Sequence, residues 1–263
     1  MISVLLQNKY LFLQMLKREI EARYRGSQLG FLWAFIYPIL MLLVYTFVFG
    51  MVMRVKWGVE GQDNLSFGLI LFAGLLLHGF LAEVLVGAVN TISSNAQYVK
   101  KVVFPLPLLN LVSVSNGLFH LCLGTLILLA MVLLSGGELH WTILLTPIVI
   151  LPFIVFLIGV SYFVSVLGVY VRDLSQFIGV LVTVALFLGP IVYPFELVPD
   201  AIQFYVLWFN PLTIIVEQFR AVVLFGTQPN WLLLGQYSVF ALVMLVVGVW
   251  FFKKTKDGFA DVI

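Results

Sequence analysis

Six apolar stretches, each about as long as a membrane is thick, constrain this chain more than any other feature of its sequence. They cover residues 30–52, 67–92, 108–134, 143–169, 177–193 and 232–252. A helix needs about 20 apolar residues to cross the hydrocarbon core of a bilayer. Only 10% of the residues are charged, and 62% are hydrophobic. Because a bilayer core offers no water to backbone polar groups, the sequence predicts an all-α polytopic membrane protein with six transmembrane helices per chain.

Lysine and arginine are distributed unevenly between the two sides that six crossings define. Of the 14 basic residues, 11 lie before the first stretch, between the second and third, after the fourth, or after the sixth. The other three are Arg54, Lys56 and Arg220. Cytoplasmic loops of membrane proteins carry an excess of positive charge. We therefore predict that both termini are cytoplasmic.

The segment before the first stretch predicts an amphipathic helix. Its apolar and polar side chains alternate between two faces at helical spacing: Leu13, Leu16, Ile20 and Tyr24 on one, and Gln14, Arg18, Glu21 and Arg25 on the other. Such a helix fits the membrane interface, with its apolar side toward the lipid and a corner at Gly26–Ser27. The alternative is a solvated helix that packs on a neighbouring domain.

Residues 94–101 predict a short helix between the second and third stretches, on the cytoplasmic side. Ser94 and Asn95 are suitable N-caps, and Pro105 disfavours helix beyond the basic pair Lys100 and Lys101. A short basic helix at this place suits the docking of a soluble partner. An ordinary basic loop is the alternative.

The segment of residues 195–231 is too interrupted for a full span and too apolar for a free loop. It predicts two short helices, at about 201–209 and 213–225, broken at Asn210–Pro211. In the second helix, Glu217 and Arg220 are three residues apart, close enough to form an ion pair. Irregular backbone at membrane depth needs cover from protein or from a water-filled cavity. The pair is either re-entrant beside a pore or lies on the outer surface.

Glu83 is a carboxylate inside the second apolar stretch. An ionised side chain at the centre of a bilayer costs about 2.5–3.5 kcal/mol on insertion scales. We therefore expect Glu83 to face other helices or an aqueous path, with His78 and His120 as candidate neighbours. A structural hydrogen bond and a role in transport are both open.

Motifs for catalysis and for metal binding are missing from the sequence. It contains no G-x-x-x-x-G-K-[ST] phosphate loop, no H-E-x-x-H and no G-x-S-x-G. Its three histidines are far apart, and its single cysteine, Cys122, excludes an internal disulfide. The net charge of +2 gives no indication of nucleic acid binding. We expect a chain that is not an enzyme and has no metal site.

Several motifs resemble those of one family of membrane proteins. The longest runs from Arg18-Glu19 through Arg23-Tyr24-Arg25, Ser27 and Leu29-Gly30 to Trp33, followed by Pro38, Tyr45 and Val48-Phe49. The shorter motifs are Lys100-Lys101-Val102-x-Phe104-Pro105, Arg172-Asp173, Pro190-Ile191-x-Tyr193 and Asn210-Pro211-Leu212. In this order they resemble the ABC-2-type permeases, and most of all the exporters of lipid-linked O-antigen, capsule and teichoic acid. The second stretch departs from the pattern, since His78-Gly79-Phe80 stands where many relatives have a Pro-Trp pair.

The resemblance implies a permease of a bacterial inner membrane that moves a lipid-linked polysaccharide of O-antigen type. Two copies would form a homodimeric pore, and two copies of a separate nucleotide-binding ATPase subunit would dock on the cytoplasmic side. ATP and Mg²⁺ would bind to that subunit, so this chain would carry no cofactor. The implied docking residues are Arg18, Glu19, Arg23, Arg25, Asn95, Tyr98, Lys100 and Lys101. The implied gate residues are Asn210, Pro211, Glu217 and Arg220.

Aromatic side chains with a polar tip suit a wall along which a sugar polymer moves, because the C–H faces of sugars stack on rings. Trp33, Tyr37 and Tyr45 fall near one face of a helix in the first stretch, and Phe187 and Tyr193 are their partners in the fifth. We predict that these five residues line the channel. For Trp33 and Tyr193 the alternative is the aromatic belt at the membrane interface.

The sequence thus predicts one ABC-2 transmembrane domain over residues 1–263. Its parts are an interfacial helix (1–28), spans one to five (29–194), gate helices (195–231), a sixth span (232–252) and a cytoplasmic tail (253–263). Three other functions remain open. An ABC-2 permease for a small drug or lipid shares this core. The lack of acid and metal clusters disfavours a membrane enzyme acting on lipid-linked sugars, and a secondary transporter requires inverted repeats that the sequence lacks.

Overall fold

A computed structural model of the protein describes residues 6–52, 64–100 and 104–262. Every regular element in these ranges is helical, which confirms the predicted fold class. The α-helices are α1 (Lys9–Tyr24), α2 (Trp33–Tyr45), α3 (Asn64–Thr91), α4 (Ala96–Lys100), α5 (Pro107–Leu134), α6 (Thr146–Tyr170), α7 (Leu174–Leu188), α8 (Asp200–Phe209), α9 (Thr213–Val223), α10 (Trp231–Thr255) and α11 (Phe259–Val262).

Five helical segments within the described ranges are long and apolar enough to cross a membrane. They are Gly30–Val52, Phe67–Thr91, Pro107–Leu134, Trp141–Tyr170 and Trp231–Gly258. The fifth predicted stretch, residues 177–193, corresponds instead to α7, which has 15 residues and is therefore about 22 Å long. α7 ends early because Pro190 disfavours helical backbone at the residue before it. Gly189 accordingly takes an extended conformation, with φ −92° and ψ 157°.

Helices α8 and α9 meet at an angle of 90°, and the break lies at Asn210–Pro211 as predicted. Asn210 stabilises the break with its side chain: its Oδ1 accepts a hydrogen bond from the Leu212 amide at 3.0 Å, and its Nδ2 donates to the Ala185 carbonyl of α7 at 2.8 Å. If this bent pair counts as one span, the described part of the chain contains six.

Helix α3 lies at the centre of the bundle. In its most apolar part 61% of the residues are buried, compared with 17% in Gly30–Val52, which we call the first segment. α3 packs on α5, α6 and α7. Its approach to α6 is closest at Gly168, where an added Cβ would lie 2.0 Å from the Val89 carbonyl oxygen. Helices of membrane proteins pack this closely only where small residues face the partner.

The first segment changes helix type along its length. A 3₁₀ turn (Gly30–Leu32) leads into α2, and a π-helical turn (Thr46–Val52) follows it. The π turn packs directly on α3, since a Cβ on Gly68 would lie 2.0 Å from Thr46 Oγ1. Most large apolar side chains of α2 are exposed, as expected for a helix that faces lipid or another subunit.

Helix α1 packs on the bundle through Met15 and through part of the predicted stripe, since Leu16 packs on the same cluster and Tyr24 is partly buried. Met15 is buried, in a cluster that includes Leu109 and Tyr162, whereas Leu13 is 57% exposed. The apolar–polar pattern located Leu13 correctly on an apolar face, but it contained no information about which side α5 would cover. α1 is therefore packed on protein along part of its apolar stripe, with Leu13 left exposed.

The C-terminal residues fold back onto the same end of the bundle. α10 continues to Thr255, and the Phe259 ring of α11 is fully buried. It contacts the Phe252 ring edge-on, with 5.6 Å between the centroids. Residues 253–259, which belong to the predicted tail, are therefore part of the packed structure.

Candidate functional site

A cavity of about 710 Å³ opens between the end of α1, the first segment, α3 and α5. One wall is aromatic, because Trp33, Tyr37 and Tyr45 of α2 all line it. These residues span 12 positions of a helix and so follow the cavity for about 18 Å. The cavity extends through a large part of the membrane thickness from its α1 end.

The structure brings together three of the five residues that the sequence placed in the channel wall. Phe187 and Tyr193 lie outside the lining of this cavity. Phe187 is 61% exposed on α7, and the Tyr193 hydroxyl donates to the Phe187 carbonyl at 3.2 Å. Tyr193 lies outside the cavity because α7 ends early, at Leu188, so that the chain turns away and the Tyr193 side chain packs back on α7.

Five polar side chains from three helices meet at the α1 end of the cavity, and all of them except Asn116 line it. We call this set the Glu83 cluster, and its members are Arg23, Tyr24, Glu83, Asn116 and His120. Arg23 donates to Glu83 Oε1 at 2.7 Å, and Asn116 Nδ2 donates to the same oxygen at 2.8 Å. His120 Nδ1 lies 3.0 and 3.1 Å from the two carboxylate oxygens. The Glu83 carboxylate thus accepts hydrogen bonds from Arg23, Asn116 and His120.

Tyr24 completes the cluster through the far side of the imidazole. Its hydroxyl lies 3.0 Å from His120 Nε2. Burial raises the pKa of the Tyr24 phenol, an effect that Glu83 reinforces and Arg23 opposes, so the hydroxyl keeps its proton at neutral pH. With its proton on Nδ1, His120 donates to Glu83 and accepts from Tyr24, and Arg23 Nη1, which lies 3.0 Å from the same Nδ1, then bonds to Glu83 alone.

Two members of this cluster were anticipated, and their arrangement was not. The sequence named His120 as a candidate neighbour of Glu83 together with His78, but the His78 ring bonds to the Val182 carbonyl at 2.9 Å. Arg23, which the resemblance implied for ATPase docking, points instead to Glu83. The sequence does contain one indication of this polar cluster. Asn116 and His120 are four residues apart, on one face of an otherwise apolar helix.

Four of the remaining implied docking residues lie at the junction of α1 and α4: Arg18, Glu19, Asn95 and Tyr98. Arg18 donates to the Tyr98 hydroxyl at 3.2 Å, which joins the two helices. A second cavity of about 150 Å³ beside them is lined by residues that include Arg18, Glu19 and Asn95. Arg25 and Lys100 are exposed. Lys101 lies outside the described residues.

Asn95, one of the two predicted N-caps of the short helix, directly precedes α4, and its side-chain amide bonds back to the end of α3. Its Nδ2 donates to the Thr91 carbonyl at 2.9 Å, and no side chain caps the 3₁₀ turn Ser93–Asn95 that precedes α4. The reason is continuity: the chain passes from α3 through this turn into α4, so the Asn95 amide serves the end of α3.

Arg220 is the most deeply buried charge in the described part of the chain. The predicted pair with Glu217 is confirmed, with 3.1 Å between Nη1 and Oε1. Most of its donors serve backbone carbonyls instead: Nε bonds to Ile70 at 3.0 Å, Nη1 to Pro190, and Nη2 to Ile191 at 2.8 Å. Arg220 thereby donates hydrogen bonds to the carbonyls just after α7 and connects α9 to α3.

The described residues contain no group of three or more His, Cys, Asp and Glu side chains that would hold a metal ion. Their arrangement is that of a membrane transport protein: a helical bundle, a cavity along the bilayer, and charged groups that are paired with one another. Residues 10–224 match the family described as ABC-2 type transporter. The chain belongs to this family, which confirms the resemblance found in its sequence.

Individual relatives cover nearly the whole chain. The O-antigen export system permease protein RfbA of Myxococcus xanthus is 28% identical over 262 residues, which is 99% of this chain and 98% of the relative. RfbA of Klebsiella pneumoniae is 27% identical over 250 residues, covering 94% and 92%. The polysialic acid transport protein KpsM of Escherichia coli is 24% identical over 243 residues, covering 92% of each.

Proposed function

We propose that this chain is the permease subunit of an ATP-driven exporter that moves a lipid-linked polysaccharide, of O-antigen type, from the cytoplasm across a bacterial inner membrane. The aromatic wall formed by Trp33, Tyr37 and Tyr45 carries the proposal. The names of the relatives, O-antigen export permeases and a polysialic acid transporter, support it.

The chemistry of the cavity suits a polymer that must be held and then released. Aromatic faces attract sugar C–H groups, while hydroxyl and indole N–H groups bond to sugar hydroxyls. Conduction along a pathway requires contacts that are each weak and are repeated. A cavity of about 710 Å³ lies within the usual range of about 300–1,000 Å³ for small-molecule sites. The polymer would therefore pass a few sugar units at a time.

The proposal includes a second copy of this chain. Trp33 and Tyr37 line the cavity and are nevertheless 40% and 58% exposed, so one chain leaves this wall open. The exposed apolar side chains of α7, among them Phe187 and Leu188, are a further surface that a partner helix would cover. A homodimer would enclose the pathway, with both termini of each chain on the cytoplasmic side.

The proposal also includes two separate ATPase subunits, which would bind ATP and Mg²⁺. The surface formed by α1 and α4 supports a docking place for them. The Arg18–Tyr98 hydrogen bond holds these two helices together, so one partner would contact both. A displacement of α1 by the ATPase would then change the cavity, because Arg23 and Tyr24, at the end of α1, line the cavity.

Transport along the aromatic wall is tested with alanine variants in cells that lack the native permease. We expect Trp33→Ala and Tyr37→Ala to reduce polymer display at the cell surface several-fold. Phe35→Ala is the matched control, since Phe35 lies on the same helix, is 38% exposed and is outside the lining. Phe187→Ala tests the lining predicted from the sequence, which includes Phe187, against the observed cavity, which does not. Normal display by Trp33→Ala and Tyr37→Ala would contradict the proposal.

ATPase docking is tested by charge reversal. Lys100→Glu with Lys101→Glu is expected to reduce co-purification of the ATPase subunit. Lys253→Glu with Lys254→Glu makes the same change of charge at another basic site, and is expected to leave co-purification intact. Equal recovery of the ATPase with both double variants would remove α4 from the docking surface.

A further inference from the structure

We infer that Glu83 is a positioning residue that latches the end of α1 onto the bundle and so sets the shape of the cavity at its α1 end. The inference deepens the proposed function and rests on it, because it gives α1 the means to transmit movement to the transport pathway. Its basis is the way in which α1 is attached near its middle, by Met15 and by the Arg18–Tyr98 hydrogen bond, and at its end, by Arg23 and Tyr24.

The middle of α1 is attached mainly by apolar packing. Met15 is 7% exposed and belongs to a cluster with Ile92, Val112 and Phe259. Close packing of this kind resists translation but tolerates a small rotation about the buried side chain. Met15 therefore acts as a pivot.

The C-terminal end of α1 is attached by polar contacts. Arg23 bonds to Glu83, and Tyr24 bonds to His120. Arg23 lies eight residues beyond Met15, which is about 12 Å along the helix. A rotation of about 15° about the pivot therefore moves Arg23 by about 3 Å, provided that its bond to Glu83 breaks.

The corner between α1 and the first segment does not hold α1 in place. Gly26 and Gly30 have positive φ values of 87° and 51°, and a Cβ added to either would meet no atom within 4 Å. These glycines are needed for backbone conformation and not for packing. The Tyr24 and Phe31 rings touch across the corner, with 5.4 Å between centroids, so the corner would move together with the end of α1.

The electrostatics of the latch suit repeated opening. The Arg23 side chain is 50% exposed and the Glu83 side chain 22% exposed. A partly exposed ion pair has a small net free energy, because water replaces the lost contacts. Asn116 and His120 remain bonded to Glu83 when Arg23 leaves, so the carboxylate keeps two hydrogen-bond donors. Arg23 is thus the one exchangeable partner among these three donors.

The latch is tested on the purified permease with a cysteine reporter. Ala82 lines the cavity beside Glu83, so Ala82→Cys in a Cys122→Ser background reports access to the cavity through the rate of labelling by a water-soluble maleimide. We expect Glu83→Gln and Arg23→Gln each to raise this rate several-fold. The double variant is expected to match the single variants, because both remove the same contact. Lys17→Gln, which removes a charge from an exposed pair on the same helix, is expected to leave the rate unchanged.

Two outcomes would overturn the inference: an unchanged labelling rate in both single variants, or a double variant whose effect is the product of the two. Equal elution from size-exclusion chromatography and equal recovery from membranes identify variants that fold. In the complex with its ATPase, the latch variants are expected to hydrolyse ATP and to export less polymer per ATP. The labelling assay requires neither polymer nor ATPase, so failure of the proposed function leaves its result interpretable.

Discussion

The crossing of α6 and α10 gives the sharpest test of how this bundle is packed. A Cβ on Gly248 would lie 2.0 Å from the Gly159 carbonyl oxygen, and a Cβ on Gly159 would lie 2.5 Å from that of Met244. Both contacts are with backbone atoms, which cannot rotate away. Ordinary van der Waals contact begins at 3.4 Å. Gly248→Ala therefore requires the two helices to separate by about 1.4 Å at this point.

Such a separation has a cost that can be estimated. A gap of about 0.5–1 Å already removes a quarter to a half of the attraction between facing atoms. Overpacked sites usually lose about 1–3 kcal/mol, and rigid backbone atoms place this site at the upper end. With about 2–4 °C per kcal/mol for a protein of similar size, the expected fall in midpoint temperature is about 6–12 °C.

The measurement is the thermal midpoint of the purified permease in detergent, taken from the fraction that remains monodisperse after heating. Gly235→Ala is the control, since Gly235 lies on the same helix and a Cβ there meets nothing within 4 Å. It is expected to match the wild-type midpoint or exceed it, because alanine is the better helix former. A Gly248→Ala midpoint equal to that of Gly235→Ala would refute the packing argument.

Two further predictions concern buried side chains at other places. Arg220→Met leaves the carbonyls of Ile70 and Ile191 without their donor and is expected to lower the free energy of unfolding by about 3–5 kcal/mol. Arg220→Lys is expected to lower it less. A thermal midpoint unchanged in both variants would contradict the assigned role. Phe259→Ala removes a fully buried ring and is expected to cost about 3–5 kcal/mol. Val262→Ala on the same short helix is the control, because Val262 is 52% exposed, and equal effects of the two changes would show that the C-terminus is not packed.

Arg220 and the Glu83 cluster solve one physical problem in two ways. A charge removed from water is tolerated when all its hydrogen-bonding groups are satisfied. Arg220 is satisfied mainly by fixed backbone carbonyls at the end of α7 and in α3. Glu83 is satisfied by side chains, one of which belongs to a helix outside the membrane-spanning segments. The first arrangement is suited to permanent structure and the second to a contact that opens.

Features that depend on local composition were readable from the sequence. Five of the six apolar stretches became segments long enough to cross a membrane, because length and apolarity alone decide whether a helix fits a bilayer. The break at Asn210–Pro211 and the Glu217–Arg220 pair followed from proline chemistry and from a spacing of three residues. The family was evident from motifs along the chain.

The partners of individual side chains were decided by the tertiary structure. Arg23 and Glu83 are 60 positions apart, and Arg220 and Ile70 are 150 apart. Helices that are apolar on all sides show no polar face, so the sequence does not reveal how each is rotated within the bundle. The rotation of α2 brought Trp33, Tyr37 and Tyr45 to the cavity, and the packing of α7 left Phe187 exposed outside it. The sequence determined which segments enter the membrane, and helix packing determined which of their side chains meet.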